Sequence, residues 1–121
     1  MVLIRKLELE TTELFKQKEY SKVVFEISSK TNEEGRSSFL FNLLGLSRIS
    51  IDNKNKDLLS MAIRDFKFGF LKEKNTDHSI DCLANFITTS VLLIDLEKNY
   101  EFDFNEIINF YELSEKFCIN H

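Results

Sequence analysis

His78 and Cys82 stand four residues apart, so on a helix both side chains would leave the same face and could hold one edge of a metal ion. A closed zinc site needs four donors, and no second pair in the sequence supplies the rest. Asp77, His78 and Asp81 could serve as acid-base partners, but polar groups in a first turn are also what a helix start recruits for capping and for its dipole. Cys118 and His121 lack the third, orienting group that an activated thiol requires. Neither HExxH nor GxSxG occurs, and Gly35, Gly45 and Gly69 are isolated rather than gathered into a phosphate-cradling loop. The expectation is a chain without catalytic residues, metal site or cofactor, and not an enzyme in itself.

The stretch DFKFGF at 65–70 places three phenylalanines where single-stranded nucleic acid could stack. A net charge of −4 and a pI near 5.2 oppose that use, because phosphate binding draws on clustered Lys and Arg. Phe66 and Phe70 share a helix face and read as core, whereas Phe68 points elsewhere and reads as a contact with another chain or with further sequence. Cys82 and Cys118 each lie in apolar helical stretches and read as buried, reduced thiols. Charges interrupt MVLIRKLELE within five residues, which argues against a secretory signal, and the apolar region 83–96 falls short of the ~20 residues that span a bilayer. A cytoplasmic protein without a membrane or nucleic-acid partner is expected.

The 121 residues suffice for one domain with a real core, and 43% of them are hydrophobic. With no proline and three glycines the chain has almost no helix breakers, so an all-α fold follows. Apolar spacing at i, i+3, i+4 and i+7 predicts helices over about 2–16, 20–30, 38–51, 56–74 and 78–96. A sixth begins after Asp103, which forms an acidic capping box with Glu106, and reaches about Cys118. Short polar links such as QKE and DNKN make successive helices antiparallel neighbours, Gly35 marks a helix stop, and Ser37 or Ser38 caps the third helix.

Gly45 sits inside the apolar run FLFNLLGLSRI, where glycine costs about 1 kcal/mol relative to alanine. Phe41, Leu44, Gly45 and Arg48 fall at the four first-helix positions of the pattern W-x2-L-G-x2-Y, and Ala62, Phe66 and Gly69 follow at its second-helix positions. This segment resembles a tetratricopeptide repeat. Extending the register gives Leu7, Thr11, Leu14, Val23 and Ile27 before it, and Ile80, Leu83, Ala84, Ile87, Ile107, Tyr111 and Ser114 after it. Three degenerate repeats result, over about 4–37, 38–76 and 77–118, as antiparallel hairpins stacked in a right-handed α-α superhelix. The Trp and Pro positions are unmatched, Lys30 replaces a small residue, and the later turns carry insertions. Gly45, Thr11 and Ala84 are the small residues that would let paired helices approach, while Gly69 and Ser114 would serve the next helix.

In that family the first helices line a concave groove that holds a peptide or partner helix. Carried onto this register, the resemblance implies a groove displaying Phe15, Phe39, Asn42, Leu46 and Asn85, with Arg5, Glu8, Thr12, Ile49, His78, Asp81 and Thr88 beside them. Asn42 and Asn85 would offer donor and acceptor to a peptide backbone, and Phe15, Phe39 and Leu46 apolar anchorage. The family's Lys and Asn cluster for a terminal carboxylate is not reproduced. The expected function is a protein-binding scaffold module. A rival expectation is the amino-terminal portion of a larger enzyme, such as a bacterial glycosyltransferase or sulfotransferase, which similar FNLLGL-containing stretches precede. Phe117, Cys118 and Ile119 leave the ending apolar, so either self-association through the carboxy-terminal helix or further sequence is expected.

Overall fold

The computed structural model describes residues 2–97 together with 108, 109, 112 and 113. The described residues are all-helical: α1 (Val2–Lys16), α2 (Tyr20–Lys30), α3 (Ser38–Ile51), α4 (Lys56–Lys72) and α5 (Asp77–Glu97), with a single 3-10 turn at Glu33–Gly35. Residues 108, 109, 112 and 113 are also helical, but the sixth helix as a whole, with Ile107, Tyr111, Ser114 and the ending KFCINH, lies outside the described residues.

Local chemistry sets the breaks. The turn after α1 is a Schellman motif, with Glu19 N–H donating to Leu14 O at 2.9 Å and Lys18 N–H to Phe15 O at 3.0 Å. Lys18 occupies the left-handed position, φ 61°, that usually belongs to glycine. Relief of that strain, at roughly 1 to 2 kcal/mol, exceeds glycine's own entropic cost of about 0.5 to 1. Lys18→Gly is therefore expected to raise the denaturation midpoint by about 0.5 to 1 kcal/mol equivalent, read by urea titration. Ser37 caps α3, its Oγ accepting from Leu40 N–H at 3.2 Å, and Asn55 and Thr76 cap α4 and α5 in the same way. Gly35 is not the expected stop: α2 ends at an extended Thr31, and Gly35 belongs to the 3-10 turn, where its N–H donates to Asn32 Oδ1.

The helices touch in a fixed order. Each packs on its sequence neighbour, α1 also meets α3, and α3 also meets α5, whereas α1 makes no contact with α4 or α5 and α2 none with α4 or α5. Gly45 faces Phe66 and Phe41 faces Gly69, so α3 and α4 are antiparallel; Asn42 meets Asn85 and Ser38 meets Cys82, so α3 and α5 run parallel.

Two apolar clusters result. Leu7, Val23, Ile27, Leu40 and Leu44 join α1, α2 and α3, while Ala62, Phe66, Phe70, Cys82 and Phe86 join α4 to α5 with Leu46 and Ile49 of α3 against them. Because α3 serves both, it is apolar on two faces, which is why FLFNLLGL shows so little polar surface.

The glycine in that run is a point of contact. A Cβ at Gly45 would stand 2.5 and 2.6 Å from Cε1 and Cζ of Phe66, and one at Gly69 would stand 2.9 Å from Phe41 Cβ and collide with Cys82 Sγ. Thr11 is buried and returns its hydroxyl to Leu7 O at 2.7 Å. Ser38 Oγ donates to Gly69 O at 2.6 Å and Ser79 Oγ to Phe70 O at 3.0 Å, so these two hydroxyls fill narrow helix seams with their donors paired, whereas the buried Ser90 Oγ of α5 has no hydrogen-bond partner among the described residues. Ala84 departs from the expectation, being exposed; the helix meant to press on it lies outside the described residues.

At 21 residues α5 is longer than the apolar stretch read from the sequence, and by length and composition alone it is long and apolar enough to cross a membrane. Here its buried face, from Ser79 to Leu93, packs against α3 and α4.

Candidate binding face on α1, α3 and α5

Asn42 and Asn85, placed on different helices by the repeat register, meet in the fold. Asn85 Nδ2 donates to Asn42 Oδ1 at 2.8 Å, and both residues are half-buried. That single bond uses one of the donors and one of the acceptors, so the pair retains amide hydrogens and an amide oxygen for a further partner.

Phe39 and Leu46 lie one turn to either side of Asn42 on α3, both half-buried. The Phe39 ring sits edge-on to exposed His78 of α5, centroids 5.1 Å apart at 81°. Leu46 leans on the Ala62–Phe66 cluster. Phe15, at the far end of α1, packs edge-on to Tyr20 at 5.3 Å and against the Leu7 cluster. The structure therefore unites Phe39, Asn42 and Asn85, with Leu46 adjoining, and leaves Phe15 occupied by its own hairpin. Glu8 fixes the α1 side of this face: it accepts from Ser37 Oγ at 2.7 Å and lies 3.6 Å from Arg5.

The residues considered for chemistry do not converge. His78 is exposed while Cys82 is fully buried, its Sγ 3.5 Å from Ser38 O. Burial pushes the Cys82 thiol up to about 12, with Asp81, Glu73 and Asp65 adding to the rise, so it stays protonated at neutral pH. Among the described residues no three of His, Cys, Asp and Glu gather as metal ligands. Phe68 also finds its partners within the chain: it lies 5.9 Å from the Phe41 ring, and the Arg64 guanidinium covers it at 5.2 Å. It is half-buried and lines a surface cleft with Phe41, Leu71 and Lys72.

One buried pair escaped the sequence reading. Arg48 Nε donates to Asp65 Oδ2 at 2.8 Å across the α3–α4 hairpin, with side chains only 15% and 8% exposed. In the sequence Arg48 stands out only for its place in the repeat pattern and Asp65 only as the start of a phenylalanine run. Their separation of 17 residues gives no local signal, but antiparallel pairing around Gly45 and Phe66 would have found it.

The fold defines an all-helical protein with a mixed amide and aromatic face. No protein-family model, curated protein or solved structure matches the chain.

Proposed function

We propose that this chain is a tetratricopeptide-like scaffold whose helical hairpins coil in a right-handed superhelix and bind an extended peptide or a partner helix along α1, α3 and α5. It acts without catalysis, cofactor or nucleic acid. The observation that carries the reading is the Asn85–Asn42 hydrogen bond, which joins two parallel first helices and presents both amide functions beside Phe39. An extended peptide needs donors and acceptors along its backbone and a ring or aliphatic edge against its side chains. Those are the groups at this face. The order of helix contacts and the close approach at Gly45 and Gly69 support the repeat reading.

A random peptide library displayed on phage tests it. Selected peptides are expected to bind Phe39→Ala/Asn42→Ala/Asn85→Ala at least about tenfold more weakly than wild type, as truncating central contacts does, with helical circular dichroism retained. Equal binding by the triple variant would remove this face from the function.

A further inference from the structure

The side of the α1–α2 hairpin carries a second surface. Two adjoining clefts of about 330 and 430 Å³ run along it, sharing Glu10 and Lys30. Leu3 and Leu7 floor the first beside Lys6, and Leu14 floors the second beside Glu13 and Glu26. Leu3 is 78% exposed. Positions 3, 7, 10, 14 and 17 recur at intervals of four and three, the spacing with which one helix forms a seam against another.

Charge along this seam is polar end to end. Lys6 lies toward the start of α1 and is 71% exposed, holding Glu10 only at 3.8 Å. Glu13, two turns on, has no ion pair among the described residues and is exposed. Glu10 in the middle is balanced by Lys6 and by Lys30 at 3.9 Å, and Lys30 also holds Glu26 at 2.6 Å. A two-fold axis crossing α1 near Glu10 lays an antiparallel second α1 on the first. That operation sets Lys6 of each copy over Glu13 of the other and Leu3 against Leu14 and Gln17, and it brings the two Glu10 side chains together at the axis, where Lys30 of each copy, 3.9 Å from its own Glu10, is the counter-charge. An isologous contact requires one surface to complement itself in this way.

We propose that the α1–α2 face is the interface of a weak, antiparallel homodimer, with reciprocal Lys6–Glu13 pairs at its two ends. It stands independently of the peptide-binding reading. The seam is short, about 22 Å for the 15 residues of α1, and Leu7 is already covered, so dissociation in the range of tens of micromolar is expected.

Sedimentation equilibrium on the full chain tests this at low ionic strength. Wild type is expected to dimerise, more weakly as salt rises. Lys6→Glu alone and Glu13→Lys alone each weaken self-association at least about tenfold, since each sets like charges at both ends. Mixed in equal amounts, the two single variants form a heterodimer at least as tight as the wild-type dimer, and the double variant Lys6→Glu/Glu13→Lys returns to within about threefold of wild type. Both sites are exposed, so the thermal melts of all variants should remain near wild type. A wild-type chain that stays monomeric at several hundred micromolar overturns the proposal. So does a dimer indifferent to the single changes, or a mixture of single variants that fails to associate.

Discussion

Gly45→Leu is expected to lower the stability of the fold by about 3 kcal/mol, a shift of roughly 10 °C in the thermal midpoint for a chain of this size. The space its side chain needs is taken by the Phe66 ring, which is fully buried between Ala62 and the α5 cluster and cannot swing outward. Alanine is the sharper probe. On helix propensity alone Gly45→Ala should gain about 1 kcal/mol, yet a Cβ within 2.6 Å of Phe66 must push helix or ring aside. Net destabilisation by alanine therefore reports the close approach and nothing else. Phe66→Leu, which shortens the facing side chain, should make the alanine less costly, with a coupling of about 1 kcal/mol or more in a double-mutant cycle followed by urea unfolding. If Gly45→Ala stabilises the protein in the wild-type background, the nesting of α3 on α4 has been misread.

The second large effect concerns Arg48. Burial pushes the Asp65 carboxyl up to about 7, and the facing Arg48 guanidinium offsets that rise only in part. The folded state thus holds the Asp65 proton more tightly than the unfolded chain, where a carboxyl ionises near 3.8. Unfolding then releases that proton, so the stability Asp65 contributes is full below about pH 4 and is lost as pH rises through about 7. Arg48→Met keeps the aliphatic stem but removes the counter-charge. The loss is expected to reach about 3 to 5 kcal/mol near pH 8.5, where the stranded carboxylate must stay ionised or take up a proton, and to shrink to about 1 kcal/mol near pH 5. Urea denaturation at the two pH values measures it. A loss of equal size at both would mean that the Asp65 charge is not what Arg48 balances.

Helix identity was legible because apolar residues recur at helical spacing, and the ends of α1, α2 and α3 coincide with the polar links that interrupt it. The end of α4 was not: the pattern ran to residue 74, but Glu73 already leaves helical geometry and Asn75 turns left-handed. Such a stop depends on local backbone, and no glycine marks it. Gly45 and Gly69 were legible as contacts because glycine inside a helix needs a cause, and the repeat spacing named Phe66 as the residue opposite. Asn42 and Asn85 could be brought together only through that spacing, since 43 residues separate them. Phe15, placed at the face by the same register, also packs on Tyr20, a residue of the following helix that spacing along α1 does not reveal. Arg48 with Asp65, and Lys18 in its left-handed turn, lay beyond periodicity altogether: one needs the hairpin's pairing and the other its backbone angles.

A ¹⁵N-labelled chain titrated with a library-selected peptide tests the binding face most directly, because side-chain NH2 groups of asparagine give their own resonances. The Asn42 and Asn85 side-chain signals are expected to shift together, along with backbone amides of α3 and α5 around Phe39 and His78, while the outer surface of α4 stays still. Shifts gathered on α2 and α4, with both asparagine side chains unmoved, would contradict it.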